Sequence, residues 1–323
     1  MSTPAYVVAV DLGGTNLRLA LVDQTGDILT RHAEPTKVHQ GLEVLLEQLA
    51  DRCVALARQA GMPPAQIVAV GFGIPGLVEP AAGRVVKAPN IPILDGVSLG
   101  SRLQARLPWP VVLDNDANLF ALGEATSGAG RGEANLLGIT LGTGVGGGLI
   151  LAGQLWHGAN GTAAEIGHMT VEPAGDPCNC GNVGCLETLA SATWTVKWCR
   201  DRLQAGEASV LRPLWQQSPQ DLTARRIAEA ARAGDALAQR ALDRVGRALG
   251  IAIANVVHLL GVPTVILGGK FAGAWDGFFP ALDRELSHRL TFFPRTALQV
   301  RPAILGDNAG LLGAARLAWE VSR

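Results

Sequence analysis

The chain has 323 residues, 48% of them hydrophobic, with 27 basic and 28 acidic side chains and a formal net charge of −1. At roughly 150 residues per domain this is chain for about two domains, with apolar material for two cores. The balanced charge, without a basic tail or a Lys/Arg run, excludes a polyanion binder that works by counterion release, and nucleic acid is not expected as a partner.

The amino terminus, MSTPAYVVAVDLGG, carries no basic region and no small-residue cleavage pattern, so a secretory leader is not expected. The first third then alternates β-branched runs with turns. AYVVAVD, LRLALVD and DILTRHA read as strands broken by glycine-containing turns. GLEVLLEQLADRCVALARQAG has apolar positions at helical spacing, with Gly61 as its stop. A strand in QIVAVGFGIPG follows, then a helix in SLGSRLQARL with Ser98 as its expected N-cap, then the strand PVVLDND. Further on, TLASATWTVKWCRDRL reads as one helix, and DALAQRALDRVGRALGIAIANVVHLLG as a long helix running into the strand TVILGG. NAGLLGAARLAWEV closes the chain as a helix.

Two stretches, residues 135–155 and 251–269, are long and uncharged, but one is full of Gly and Thr and the other contains His258 and Pro263. Both read as buried strand or helix-to-strand segments rather than membrane spans, so the expectation is a soluble, cytoplasmic protein with no membrane partner. In that compartment clustered cysteines favour a metal over disulfides.

The segments VVAVDLGGTNLRLALVDQTGDIL and LGITLGTGVGGGLILAGQL share one grammar: strand, Gly/Thr turn, strand, Gly-containing turn. In DLGGTN, adjacent glycines let the backbone approach a bulky anion, Thr15 and the turn N–H groups can donate to phosphate, and Asp11 can hold Mg²⁺ through water. A plain tight hairpin is the alternative reading of that hexamer. G-x-G-x-x-G occurs at Gly71/Gly73/Gly76 and at Gly142/Gly144/Gly147. Neither run is followed by a helical pattern, as a dinucleotide fingerprint requires, and no G-x-x-x-x-G-K-[ST] is present.

Three of the five cysteines lie in CNCGNVGCLE, residues 178–187. Cys178, Cys180 and Cys185 supply three thiolates, and His168 ten residues upstream completes a four-ligand Cys₃His set for structural zinc. A redox pair and ordinary buried thiols are the alternatives, but there is no C-x-x-C, and three cysteines in ten residues are not expected by chance. In LDNDAN, Asp116 stands where a strand ends and a helix begins, which suits either a helix cap or a general base; Asp114 reads as a strand-end residue without a role.

DLGGTN, GIPG, LDNDAN, LGTGVGGG, GANGTAAEIGHM and CNCGNVGCLE follow, in order and spacing, the ROK family of sugar kinases and repressors. The resemblance covers nearly the whole chain and is strongest to the zinc-containing glucokinases. It implies an α/β, two-domain actin-like ATPase fold of the ribonuclease H-like, hexokinase type, with sugar and ATP in a cleft between domains. The domains expected are a small one over residues 1–115, joined by a C-terminal helix at about 306–323, and a larger one over 116–305 carrying the zinc. The activity implied is ATP-dependent phosphorylation of glucose to glucose 6-phosphate, with N-acetylglucosamine, N-acetylmannosamine or another hexose as the alternative substrate.

By the same resemblance Asp116 is the catalytic base. Gly76, Asn90, Asn115, Glu165, His168 and Glu187 contact the sugar together with Asp116. Asp11, Gly13, Gly14, Thr15, Asn16, Thr143 and Gly144 serve the phosphates and Mg²⁺, and Gly268 and Gly269 lie beside adenosine. The zinc would pin the loop of Glu187 so that it and Glu165 face one sugar. A homodimer or homotetramer is implied. A sugar-sensing repressor is the rival from another class, but its DNA-binding segment would precede the first phosphate motif, which here begins at Asp11. The chain departs from the family at IPILDG after APN, where Pro-Gly-Trp is usual, and at Ala164, where the usual tripeptide is Ala-Gly-Glu.

Overall fold

The computed structural model describes residues 5–322; residues 1–4, part of the stretch read above for a leader, and residue 323 lie outside the described residues. Among the described residues two compact units are present, one of residues 5–134, 148–163 and 304–322, the other of 135–147 and 164–303.

In the first unit, strands β1 (Tyr6–Leu12), β2 (Asn16–Asp23) and β3 (Ile28–Pro35) form an antiparallel meander. Val7, Val8, Ala9 and Val10 are all fully buried, as expected of a strand covered on both faces. At the sheet edge β3 instead alternates half-buried and exposed residues. Helix α1 (Leu42–Gln59) buries Leu45, Leu46, Leu49, Cys53 and Leu56, its i, i+4 stripe, and the chain turns at Gly61 with φ +67°. β4 (Ile67–Ile74) runs parallel to β1 and passes straight through Gly71 and Gly73, so no helix begins in those glycines. A small hairpin follows, β5 (Leu77–Glu79) with β6 (Arg84–Lys87), in a stretch for which the sequence pattern predicted no element. Helix α2 (Leu99–Gln104) starts after Ser98, but the Ser98 side chain makes no capping hydrogen bond, which corrects that expectation. β7 (Val111–Asn115) pairs parallel with β4, completing the order β3-β2-β1-β4-β7, and α3 (Asp116–Ser127) follows without a linker.

In the second sheet, β8 (Leu136–Leu141) and β9 (Val145–Leu151) flank the second Gly/Thr turn, and β10 (Gln154–Leu155) pairs with the end of β9. The predicted helix at 188–203 is two helices, α4 (Glu187–Ala190) and α5 (Ala192–Gln204). Ser191 breaks it: its backbone is extended and its hydroxyl accepts the Trp194 N–H at 3.2 Å, capping α5. α6 (Arg212–Gln217) and α7 (Ala224–Arg232) lead to α8 (Ala236–Leu260), capped by Asp235 through the Ala238 N–H at 2.9 Å and closed by Gly261 in the left-handed region. Then β11 (Thr264–Gly268) lies parallel to β8, α9 (Trp275–Arg289) packs on α8, and β12 (Gln299–Pro302) completes the order β10-β9-β8-β11-β12.

The last helix, α10 (Ala309–Val321), belongs to the first unit and packs on α3, β4 and β1. A Cβ on Gly313 would lie 1.8 Å from the Leu119 carbonyl oxygen, and one on Gly123 2.0 Å from that of Ala309, so the α3–α10 contact is backbone to backbone. No helix among the described residues is long and apolar enough to cross a membrane.

Candidate active site

Parallel pairing brings three strand ends of the first unit to one edge: Asp11 on β1 pairs with Gly73 on β4, which pairs with Asp114 on β7. Carboxyl edges of parallel strands are where ligands bind in α/β sheets. The β1–β2 turn is closed by the Gly13 N–H donating to the Asn16 carbonyl at 2.8 Å. Thr36, just past β3, clamps the same turn twice. Its N–H donates to the Thr15 carbonyl at 3.0 Å and its Oγ1 to the Gly13 carbonyl at 2.8 Å. Behind it, buried Gln48 accepts the Lys37 N–H at 2.9 Å and donates to Glu34 and to the Pro35 carbonyl, while Arg52 Nε lies 2.8 Å from both Glu34 oxygens. Burial alone would raise the Glu34 pKa, but the hydrogen bonds from Arg52, Gln48 and His32 outweigh it and hold it at about 2. Burial also pushes the Asp11 carboxyl above 3.8, with Asp307 adding to the rise and Arg18, 3.5 Å away, opposing it.

Asn115, rather than Asp116, is the N-cap of α3. Its Oδ1 accepts the N–H groups of Ala117 and Asn118 at 2.8 and 3.0 Å, and its amide donates to the Gly76 carbonyl at 2.7 Å. One amide hydrogen is left for a ligand. Asp116 is the first helical residue, with its Oδ1 2.9 Å from the Ala117 N–H, beside the positive end of the helix dipole. Asn90 lies against the β1–β2 turn: a Cβ on Gly14 would meet the Asn90 carbonyl at 2.9 Å. The IPILDG departure is built into the core here. Ile91 and Leu94 are fully buried, and Asp95 accepts the Ala88 N–H at 2.7 Å.

The second unit gathers the other predicted residues. The β8–β9 turn, with Thr143 and Gly144, is closed by the Gly142 N–H donating to the Gly144 carbonyl at 3.0 Å. It is held from outside by Glu187, whose Oε2 accepts the Val145 N–H at 2.9 Å, and by the Ala192 N–H, which donates to the Gly142 carbonyl. A Cβ on Gly144 would sit 2.4 Å from that Glu187 oxygen. Gly268 pairs with Thr140 at the same strand edge, and Gly269 leaves it with φ +83° against Leu141. Glu165 opens a one-turn 3₁₀ segment to His168, whose N–H donates to the Glu165 carbonyl at 3.0 Å. Burial raises the Glu165 pKa above 4.5; His168 opposes the rise and Glu187 adds to it. Ala164 sits at φ +63°, a left-handed conformation that disfavours any side chain. The departure from Ala-Gly-Glu is therefore a matter of backbone strain as well as crowding.

The ligand atoms of His168, Cys178, Cys180 and Cys185 all lie within 4.8 Å of one another. Cys180 Sγ is 3.7 Å from Cys185 Sγ and Cys178 Sγ is 3.8 Å from His168 Nδ1. The sulfur–sulfur distance is too long for a disulfide of about 2.05 Å and close to the edge of about 3.8 Å of a tetrahedron with metal–sulfur bonds of about 2.3 Å, and the sulfur–nitrogen distance is of the same order. All five cysteines are free thiols. Burial and the neighbouring thiols push Cys185 up to about 12, a cost that a divalent cation relieves by binding the thiolates. The four side chains fit a metal ion.

The ROK family pattern matches residues 7–321. The chain belongs to the ROK family. It is 37% identical over 311 residues to the glucokinase of Halalkalibacterium halodurans, spanning 95% of this chain and 93% of that protein. It is also 37% identical to the glucokinase of Thermotoga maritima over 315 residues, 97% of each chain. A solved ROK family glucokinase from Streptomyces griseus, in complex with glucose and AMPPNP, aligns with a TM-score of 0.81 and 34% identity over 98% of this chain and 100% of that one. The actin-like ATPase fold expected from the sequence is borne out. Sequence reasoning passed over Thr36 and gave Asp114 no role. A threonine just past an edge strand has no local signature, but a carboxylate at the end of an apolar strand asks for a buried partner.

Proposed function

We propose that this ROK family member transfers the γ-phosphoryl group of ATP to the 6-hydroxyl of glucose. What carries the reading is the common strand edge of the first unit, where the Asp11–Asn16 turn ends β1 and the Asn115–Asp116 junction ends β7, two parallel-running strands with β4 between them. Phosphoryl transfer asks a protein for positioning, charge neutralisation and a group to take the alcohol proton. Asp116 takes the O6 proton as the O6–P bond forms and the bond to the β-phosphate oxygen breaks, leaving ADP. Gly76, Asn90, Asn115, Glu165, His168 and Glu187 hold the sugar hydroxyls. The two Gly/Thr turns, through Gly13, Gly14, Thr15, Asn16, Thr143 and Gly144, donate to the phosphates, and Gly268 and Gly269 flank adenosine. Mg²⁺, when bound with ATP, supplies charge neutralisation, and Asp11 is the residue to hold it through water.

Zinc is the metal that suits the Cys₃His set, and its role is structural because all four positions of the tetrahedron are taken by protein. His168 turns Nδ1 to the thiols, which leaves Nε2 as its hydrogen-bonding atom for the sugar. A coupled assay of ADP release with glucose and ATP tests the reading, run beside Asp116→Asn. Turnover should fall by about 10²–10⁴-fold in the variant while glucose binding persists. Turnover within a few-fold of wild type would remove Asp116 as the base.

A further inference from the structure

Asp114 is fully buried, and its carboxylate sits one residue before the cap of α3. Its Oδ1 accepts the Asn115 N–H at 2.7 Å and the Asn118 side-chain amide at 2.9 Å. Its Oδ2 lies 2.5 Å from His157 Nε2. A buried charge of this kind holds its place only while it is paired and hydrogen-bonded. The strength of its demand shows in Asn118, whose Oδ1 is buried with no hydrogen-bond partner among the described residues while its amide donates to Asp114.

His157 is itself held in place. The Trp156 N–H before it donates to the Leu149 carbonyl at 2.8 Å, and its own carbonyl accepts the Ala163 N–H at 3.1 Å. The His157 side chain is one-third exposed, so water reaches the imidazole from one side while the carboxylate is sealed.

We propose that His157 is a positioning residue for the general base Asp116, acting through Asp114. The proposal rests on the reading of Asp116 given above. His157 pins one oxygen of Asp114, the other oxygen pins the Asn115 N–H and the Asn118 amide, and these set the first turn of α3, from which Asp116 projects. Without the His157 donor, Asp114 retains a buried, unpaired carboxylate oxygen. It relieves that by shifting toward water, and the shift slackens the bond to the Asn115 backbone. The hydrogen bond that His157 donates to Asp114 raises the His157 pKa above 6.5 against the effect of its own burial, with Glu320 adding a smaller push, which favours the imidazolium form. The bonds of Asp114 run to α3 and to His157 rather than to a phosphate turn, so the effect belongs to the transfer step more than to nucleotide binding.

The test compares wild type with His157→Phe, His157→Asn, His157→Gln and Asp116→Asn, measuring kcat, the KM values for glucose and ATP, and the thermal midpoint. The amide nitrogen of Gln reaches the place of imidazole Nε2, whereas that of Asn stops short. His157→Phe and His157→Asn should lose about tenfold to a hundredfold in kcat, the scale of a misplaced reacting group, with the KM for ATP within twofold. His157→Gln should recover most of the loss. The Asn and Gln variants differ by one methylene, so their comparison stands even if the Phe variant does not fold. Wild-type kcat in His157→Asn, or a His157→Gln enzyme as slow as His157→Asn, overturns the proposal while an inactive Asp116→Asn leaves the base in place. An active Asp116→Asn overturns the base and this proposal with it.

Discussion

Replacing Thr36 with valine removes one hydroxyl and almost nothing else. The Thr36 backbone bond to Thr15 remains, the residue keeps its β-branched shape, and only the Oγ1 bond to the Gly13 carbonyl is lost. Thr36 is 8% exposed, so the lost donor is not replaced at that position by bulk water, while Gly13 is half-buried and its carbonyl can turn partly outward. A net hydrogen bond of this kind contributes about 1 kcal/mol. If that energy holds the turn in its phosphate-binding geometry, the KM for ATP should rise about fivefold, since 1.4 kcal/mol corresponds to tenfold. Initial rates over a range of ATP at saturating glucose measure this, with Thr36→Ser as the control that keeps the hydroxyl. An unchanged KM for ATP in a well-folded Thr36→Val enzyme would refute the clamp. So would a Thr36→Ser enzyme as impaired as the valine variant.

Elemental analysis of the purified protein should find close to one zinc per chain, and Cys180→Ala should lose metal and glucose affinity together. Zinc-free protein with normal kinetics would contradict the structural role. Glu34, with its pKa lowered from 4.5 to about 2, contributes stability that is fully present above pH 4.5 and is lost as pH falls toward 2. Glu34→Gln should flatten that part of the melting-temperature profile, and an unchanged acid limb would show that Arg52 and Gln48 do not stabilise the folded chain through it. Ala164→Gly should relieve the left-handed strain at φ +63°, worth about 1–2 kcal/mol, against about 0.4–1 kcal/mol of added unfolded-state entropy. Its melting temperature should equal or exceed that of wild type, with a raised KM for glucose as Glu165 loosens; a clear drop in melting temperature would contradict this.

Elements whose cause is local were legible in the sequence. The apolar run of β1, the i, i+4 stripe of α1, and α8 between Asp235 and Gly261 each carry their own signal, and the Cys/His block shows by spacing and ligand type a set that could hold a metal ion. What escaped has its cause elsewhere in the chain. Ser191 lies in an unbroken helical pattern, and only its capping geometry splits α4 from α5. Ser98 has the right residue type for a cap without the bond. The β5–β6 hairpin is too short to show alternation. Thr36 acts 23 residues from Gly13, and His157 meets Asp114 across 43 residues, separations at which no periodic pattern speaks. At Ala164 the sequence shows an extra methyl, while the backbone dihedral that makes it costly appears only in the folded chain.

The most direct test of the account is kcat/KM for glucose, mannose, N-acetylglucosamine, N-acetylmannosamine, allose and fructose at one ATP concentration. Glu165, His168 and Glu187 form a polar set suited to a free hexose ring, and a site built around particular hydroxyls discriminates by about 10⁴ or more when a partner is left unpaired. The account predicts that glucose leads and that its product is glucose 6-phosphate. An N-acetylhexosamine ahead by tenfold would contradict the glucose assignment, and no ADP release with any of the six sugars would contradict the kinase itself.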